Sequence, residues 1–302
     1  MLKLIGTIAM ACLLYACAGG GFNLPPVTEG EGTDLPGKIV WRDLLTDTPE
    51  QTRRFYGELF GWEFSAVPGN ANYEVISHQG RPIGGMVDQA RLPTTEDVSQ
   101  WVVVMAVADI DQAAASVSAA EGTVLTPPTS LGDRGSIAVV TDAQGALLSL
   151  LQTPTGEPQD SAATPPVGGF LWDELWTADT AAASRFYTAL APFEVEAVDL
   201  DEQGVDFDYQ LLKTDNMPRA GIRPQPAPEL DPVWVSYLRV ADAAQLADIL
   251  SRVEGLGGRV LVPATPRPSG GEVAIIAGPS GAGIALQTWS EDRGPVGAGG
   301  DS

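Results

Sequence analysis

Basic residues, cysteine and histidine are all scarce in this chain. Its 39 acidic residues face only 17 Lys and Arg, a formal charge of −22 over 302 residues. A surface of that sign repels phosphate backbones and excludes nucleic acid as a partner. Beyond that exclusion, the acidity speaks only of solvation. The two cysteines, Cys12 and Cys17, sit at the extreme N-terminus. No disulfide framework therefore spans the body of the chain, and its folding does not depend on an oxidising compartment. The single histidine, His78, closes a predicted strand just before Gly80 and reads as a surface or turn residue. No nucleophile motif lies near it, which argues against a Ser–His–Asp arrangement. A Gly-x4-Gly-Lys phosphate loop is missing as well.

What is present begins with an unusual N-terminus. Lys3 precedes an uncharged apolar run, Leu4 to Leu14, too short to cross a bilayer as a mature helix. Leu14-Tyr15-Ala16-Cys17 follows and resembles a bacterial lipoprotein box: Leu, then a small residue, then the cysteine that takes lipid. The reading is a lipoprotein signal over residues 1–17, with Cys17 lipidated and the protein anchored to a bacterial envelope membrane, facing periplasm or exterior. Residues 18–37, rich in Gly, Pro, Glu and Thr, predict a flexible linker, and 290–302 a disordered tail.

The body of the chain is written twice. Trp41-Arg42-Asp43-Leu44-Leu45-Thr46 leads to Arg54-Phe55-Tyr56, and Trp172-Asp173-Glu174-Leu175-Trp176-Thr177 leads to Arg185-Phe186-Tyr187, 131 residues later. Trp101 with Val107-Ala108-Asp109 returns as Trp234 with Val240-Ala241-Asp242. Both copies close on apolar strands ending at Gln152 and Gln287. Repeats of this length are tandem domains, not solenoid units. They predict modules over 38–153 and 169–289, joined by a Pro- and Gly-rich linker at 154–168.

Each module divides again into two similar units. Ile39 to Leu45 reads as a strand with Ile39, Trp41 and Asp43 on one face. Thr48-Pro49-Glu50-Gln51 predicts a capped helix start, and Phe55, Tyr56, Leu59 and Phe60 its buried face. Further strands are expected at Trp62–Phe64, Tyr73–Ser77 and Ile83–Val87. The pattern restarts at Trp101–Val107, with Asp109 and Gln112 opening the next helix. The fold class is α+β: two tandem modules, each of paired βαβββ units with strands curled around a cavity. This order resembles the vicinal oxygen chelate superfamily of glyoxalase I, bleomycin-resistance proteins and extradiol dioxygenases. The residues that carry the likeness include Leu59-Phe60-Gly61-Trp62, Gly84-Gly85 and Thr141-Asp142-Ala143-Gln144-Gly145-Ala146.

The resemblance implies a divalent metal held by His, Gln or Glu early on first strands and Glu late on last strands. Those positions fall here on Trp41, Trp101, Trp172 and Trp234, and on Ser149 and Ala285. Indole offers a metal no lone pair. The expectation is therefore no metal and no cofactor. A small, aromatic or conjugated organic ligand would be bound in Trp-lined cavities, by Trp41, Asp43 and Trp101 in one module and Trp172, Glu174 and Trp234 in the other. The bland alternative makes these tryptophans core filler. Asp43 and Glu174 are the candidate catalytic residues if the chain is instead an enzyme of the superfamily with an atypical carboxylate site. A third reading is a structural or interaction module.

Overall fold

The computed structural model describes residues 23–28, 32–92, 95–161, 163–198, 208–267 and 270–290. The leader with Cys17, and residues 291–302, lie outside this set. So does most of an acidic insertion, Asp199 to Asp208, expected in the second repeat.

The first module is one eight-stranded sheet built from two βαβββ units. Strand β1 (Ile39–Thr46) is followed by helix α1 (Pro49–Phe60), then β2 (Glu63–Val67), β3 (Asn70–His78) and β4 (Arg81–Asp88). The second unit is β5 (Gln100–Ala106), α2 (Ile110–Ala119), β6 (Thr123–Ser130), β7 (Ser136–Thr141) and β8 (Leu147–Gln152). Strand order is β2-β3-β4-β1-β5-β8-β7-β6, so the two units meet antiparallel at β1 and β5. The second module repeats this with β9 (Phe170–Thr177), α3 (Thr180–Leu190), β10 (Glu194–Val198), β11 (Tyr209–Thr214) and β12 (Met217–Pro224). It continues through β13 (Val233–Val240), α4 (Ala243–Val253), β14 (Arg259–Pro266), β15 (Glu272–Ala277) and β16 (Gly283–Thr288), in the matching sheet order.

Helix starts follow the local sequence with one exception. Asp109, Asp179 and Asp242 each accept a hydrogen bond from the backbone N–H three residues on. The capping box expected at Thr48 does not form, because Thr48 makes no side-chain cap bond. Thr46 takes over there: its buried hydroxyl accepts from Thr48 N–H at 3.1 Å and pairs with Thr52 Oγ1 at 2.8 Å. Gly61 ends α1 in the left-handed region, φ 69°.

The helical faces of the two sheets pack on each other. One shared core joins α2, β7 and β8 of the first module to α3 of the second, through Val117, Leu148, Phe186 and Tyr187. The other joins α1 to α4, through Phe55, Tyr56, Leu246 and Ile249. Phe55 lies so close to Gly258, and Phe186 to Gly122, that a Cβ at either glycine would meet the ring at 2.4 or 2.7 Å. The repeated Phe-Tyr pair is thus module-to-module packing. Between the central strands, Arg42 of β1 pairs with buried Asp173 of β9, which also accepts from Ser236 Oγ at 2.6 Å.

Both predicted linkers are partly docked. Leu24 and Leu35 are buried, Thr33 pairs with Glu157 as a β-bridge, and Glu157 accepts from Leu35 N–H at 2.6 Å. Apolar side chains within the Gly- and Pro-rich stretch find grooves on the module, so 18–37 is not a free tether throughout. His78 is also buried, not superficial: Nε2 donates to Val167 C=O at 2.7 Å, tying β3 to the inter-module segment.

Candidate functional site

Side chains on the sheet faces turned away from the helices converge on the middle of each module. In the first, residues of β1, β3, β4, β5, β7 and β8 line one cavity, among them Trp41, Asp43, Tyr73, Val104 and Ser149. Strands as far as five places apart in the sheet, β3 and β7, can share a cavity only if the sheet curls. Trp41 and Asp43 are two apart on β1 and therefore point the same way.

Trp101 points the other way. In the β1–β5 ladder Asp43 faces Val102 and Leu44 faces Trp101, so Val102 and Val104 look into the cavity and Trp101 into the helical core. There its indole donates to Tyr56 Oη at 3.1 Å and packs on Trp62 and Phe170. Trp234 does the same in the second module, facing Leu175 and donating to Tyr187 Oη at 3.0 Å. The expectation that Trp101 and Trp234 share cavities with Asp43 and Glu174 is corrected accordingly. The cause is parity: Trp41 and Trp172 precede their helix caps by seven residues, Trp101 and Trp234 by eight. A slip of one residue reverses a strand's face.

The cavity's polar side is a relay of four residues. Tyr73 Oη donates to Asp43 Oδ1 at 2.7 Å and accepts from Trp41 Nε1 and Arg134 Nη1, both at 2.8 Å. Trp41 Nε1 also reaches Asp43 Oδ1 at 3.1 Å. Arg134 comes from the turn between β6 and β7, and its guanidinium lies 4.4 Å from the Trp41 ring centroid. Burial pushes the Tyr73 phenol far up, so it stays protonated and donates. Burial also raises Asp43, against the opposing pull of Arg134, Tyr73 and Trp41. Among the described residues its Oδ1 takes two bonds and its Oδ2 takes none, although the residue is only half-buried where it lines the cavity. Asp43 is thus an acceptor with one oxygen free.

The second module keeps the relay and closes it. Trp172 Nε1 donates to Tyr209 Oη at 3.0 Å, and Tyr209 Oη to Glu174 Oε1 at 2.9 Å. Arg267, from the turn equivalent to that of Arg134, forms an ion pair with Glu174. Tyr237 Oη and, at 3.3 Å, Trp176 Nε1 donate to the other oxygen. Both oxygens of Glu174 are doubly satisfied, and the residue is 0% exposed. Burial alone would raise its pKa; Arg267, with the Tyr237 hydroxyl, outweighs burial and holds the carboxyl below its ordinary range. The tyrosines and arginines of both relays escape a strand-pattern reading. One signal was available: Tyr73 precedes Gly85 by twelve residues, and Tyr209 precedes Gly221 by twelve. A Cβ at Gly85 would meet Tyr73 Oη at 1.9 Å, and one at Gly221 would meet Tyr209 Oη at 2.2 Å.

A divalent ion does not fit these donor sets. Each relay holds one carboxylate with a guanidinium close by, and indole N–H groups point inward from the first strands. No group of three or more His, Cys, Asp or Glu suited to a metal exists among the described residues. Ions of this kind need several anionic or lone-pair donors.

A family model described as the Glyoxalase/Bleomycin resistance protein/Dioxygenase superfamily matches residues 38–150. Among relatives, the anthracycline biosynthesis protein DauV of Streptomyces sp. strain C5 is 29% identical over 274 residues, 83% of this chain and 93% of its own. CFP32 of Mycobacterium bovis, provisionally named a glyoxylase, is 26% identical over 245 residues, 80% of this chain and 91% of its own. Among solved structures, the Mn(II)-bound glyoxalase of Novosphingobium aromaticivorans superimposes with a TM-score of 0.56 over 86% of both chains, at 16% identity. That likeness concerns the fold alone.

Proposed function

We propose a binding function for this chain, which belongs to the glyoxalase/bleomycin resistance/dioxygenase superfamily: its first module holds a small, planar, largely apolar molecule that donates a hydrogen bond to Asp43. The observation that carries this reading is the free Oδ2 of Asp43 on the wall of an otherwise mostly apolar cavity. A lone acceptor in such a place fixes the orientation of a ligand. Asp43 and Arg134 cancel in charge, which suits an uncharged ligand. The cavity measures about 80 Å³. That is about half the roughly 150 Å³ of an apolar cavity known to bind benzene, so a ring entering here would be partly enclosed and the rest of the ligand would project from the mouth. One relative is named for the biosynthesis of anthracyclines, which are fused-ring aromatics. That name is compatible with an aromatic ligand here.

In this reading no metal takes part, and chelation leaves the melting temperature unchanged. A stoichiometric transition metal retained through dialysis would reverse that view. A second reading has Asp43 accept the proton it is offered and act as a general base; its burial-raised proton affinity favours it. Titration of neutral phenols followed by NMR separates the two, since a catalyst alters a reactive ligand and a binder returns it intact. Saturable shifts that vanish in Asp43→Asn are the expected result. Shifts unaffected by that change would place the site elsewhere.

The proposal includes an envelope anchor through Cys17. Only residues 18–22 separate Cys17 from docked Asn23. Six extended steps reach at most about 20 Å, so a lipidated chain would hold the first module close to the bilayer. Cys17→Ser should move the protein from the membrane fraction to the soluble one.

A further inference from the structure

The segment Asn23–Thr28 belongs to neither repeat, yet it forms part of the first cavity. Leu24, 3% exposed, is one of the residues lining it. The turn Leu131–Gly135 is shaped to receive this strap. Leu24 N–H donates to Leu131 C=O at 2.9 Å. Asn23 Nδ2 donates to Asp133 Oδ2 at 3.0 Å, and Asp133 N–H returns a bond to Asn23 Oδ1 at 2.7 Å. Gly132 is needed beneath it, because a Cβ there would stand 2.1 Å from Asn23 Oδ1. Farther along, Arg134 Nε donates to Pro25 C=O at 2.9 Å.

Arg134 is the residue whose other arm holds Tyr73, and Tyr73 holds Asp43. The strap is therefore continuous, by hydrogen bonds, with the acceptor that orients the ligand. Arg134 Nη2 is buried and has no partner among the described residues.

We propose that Leu24 is a specificity-determining wall of the first cavity, and that the strap, seated through Asn23 and Arg134, sets the largest ring the site admits. This rests on the binding reading above. In the body of the repeat, most cavity residues lie on strands that the sheet holds in place, with Arg91, Leu92, Leu131 and Arg134 on the connections. The strap is fixed by a handful of bonds to one turn and can differ in sequence without disturbing either inter-module core. Shortening Leu24 opens the cavity at its mouth; enlarging it fills the space that a second ring would need.

The test is a calorimetric series with phenol, 4-propylphenol and 2-naphthol on the full chain. Leu24→Ala should raise affinity for 2-naphthol relative to phenol by roughly tenfold, since more apolar ligand surface is then buried. Leu24→Trp should lower the same ratio. Asp133→Ala alters no residue lining the cavity and frees Asn23; it should shift selectivity in the direction of Leu24→Ala. A naphthol-to-phenol ratio equal in all four proteins would overturn the role of the strap while leaving the binding reading intact. Binding by none of the proteins would overturn that reading, and this inference with it.

Discussion

The two modules share a framework and differ in how the middle is filled. Both carry Trp, Tyr, an acid and Arg in the same relay, from the same strands and the same turn. Three of the exchanges between them decide this. Leu45, Val87 and Val104 of the first module correspond to Trp176, Arg223 and Tyr237 of the second, by their ladder positions beside Gly85 and Gly221, and beside Ser149 and Ala285. Aliphatic side chains line a cavity beside a carboxylate oxygen with no partner among the described residues. Trp176 and Tyr237 instead donate to Glu174, and the Arg223 guanidinium lies 5.4 Å from the Trp176 ring centroid. In the proposed reading the first relay is available to a ligand, whereas Glu174 of the second is satisfied within its own module.

The largest expected difference concerns the two arginines. Arg267→Met strips the counter-charge from a fully buried Glu174 and should cost about 3–5 kcal/mol in urea unfolding. Arg134→Met removes a donor to Tyr73 and a charge that acts on Asp43 without bonding to it, and should cost about 1–3 kcal/mol. Equal losses would show that the relays are more alike than their geometry. Gly85→Ala and Gly221→Ala come next. Each forces a methyl group against a tyrosine hydroxyl and should destabilise by about 1–3 kcal/mol. Only Gly85→Ala should also abolish binding of phenol, because it displaces the donor that holds Asp43.

Much of this architecture was legible in the repeats. Strand and helix order follows from alternation and from Asp109 and Asp242 as caps, because these are local signals with fixed periods. Trp41 with Asp43, and Trp172 with Glu174, share faces for the same reason. Trp101 and Trp234 were misplaced because a count from the helix cap carries no parity. The ladder decides parity, and ladder register is a long-range property. Arg134 and Arg267 come from turns, where no period says which way a side chain reaches. The strap was hidden for a related reason: Leu24 and Leu35 sit in a Gly- and Pro-rich stretch whose composition resembles a tether.

A smaller effect, opposite in sign between modules, lies in the pH dependence of stability. Glu174 has a lowered pKa, so its contribution is present above the ordinary carboxylate range and is lost as pH falls through the lowered value. Asp43 has a raised pKa; its contribution is complete below the ordinary range and is lost as pH rises through the raised value. Glu174→Gln should therefore be less stable than the parent at neutral pH, with the gap narrowing on acidification. Asp43→Asn should be at least as stable as the parent at neutral pH, with that advantage shrinking as acid protonates the parent's Asp43. Urea midpoints between about pH 2 and 7 check both signs, since the Glu174 change lies below the ordinary carboxylate range and the Asp43 change above it; trends of the same sign would contradict the assignment of open and closed relays.

The central claim is that one relay binds and the other does not. Isothermal titration of a neutral phenol into the parent, Asp43→Asn and Glu174→Gln proteins tests it directly, with circular dichroism confirming that each is folded. One site per chain, lost in Asp43→Asn and retained in Glu174→Gln, is the predicted result. Two equivalent sites, or a single site that survives Asp43→Asn and disappears with Glu174→Gln, would contradict it.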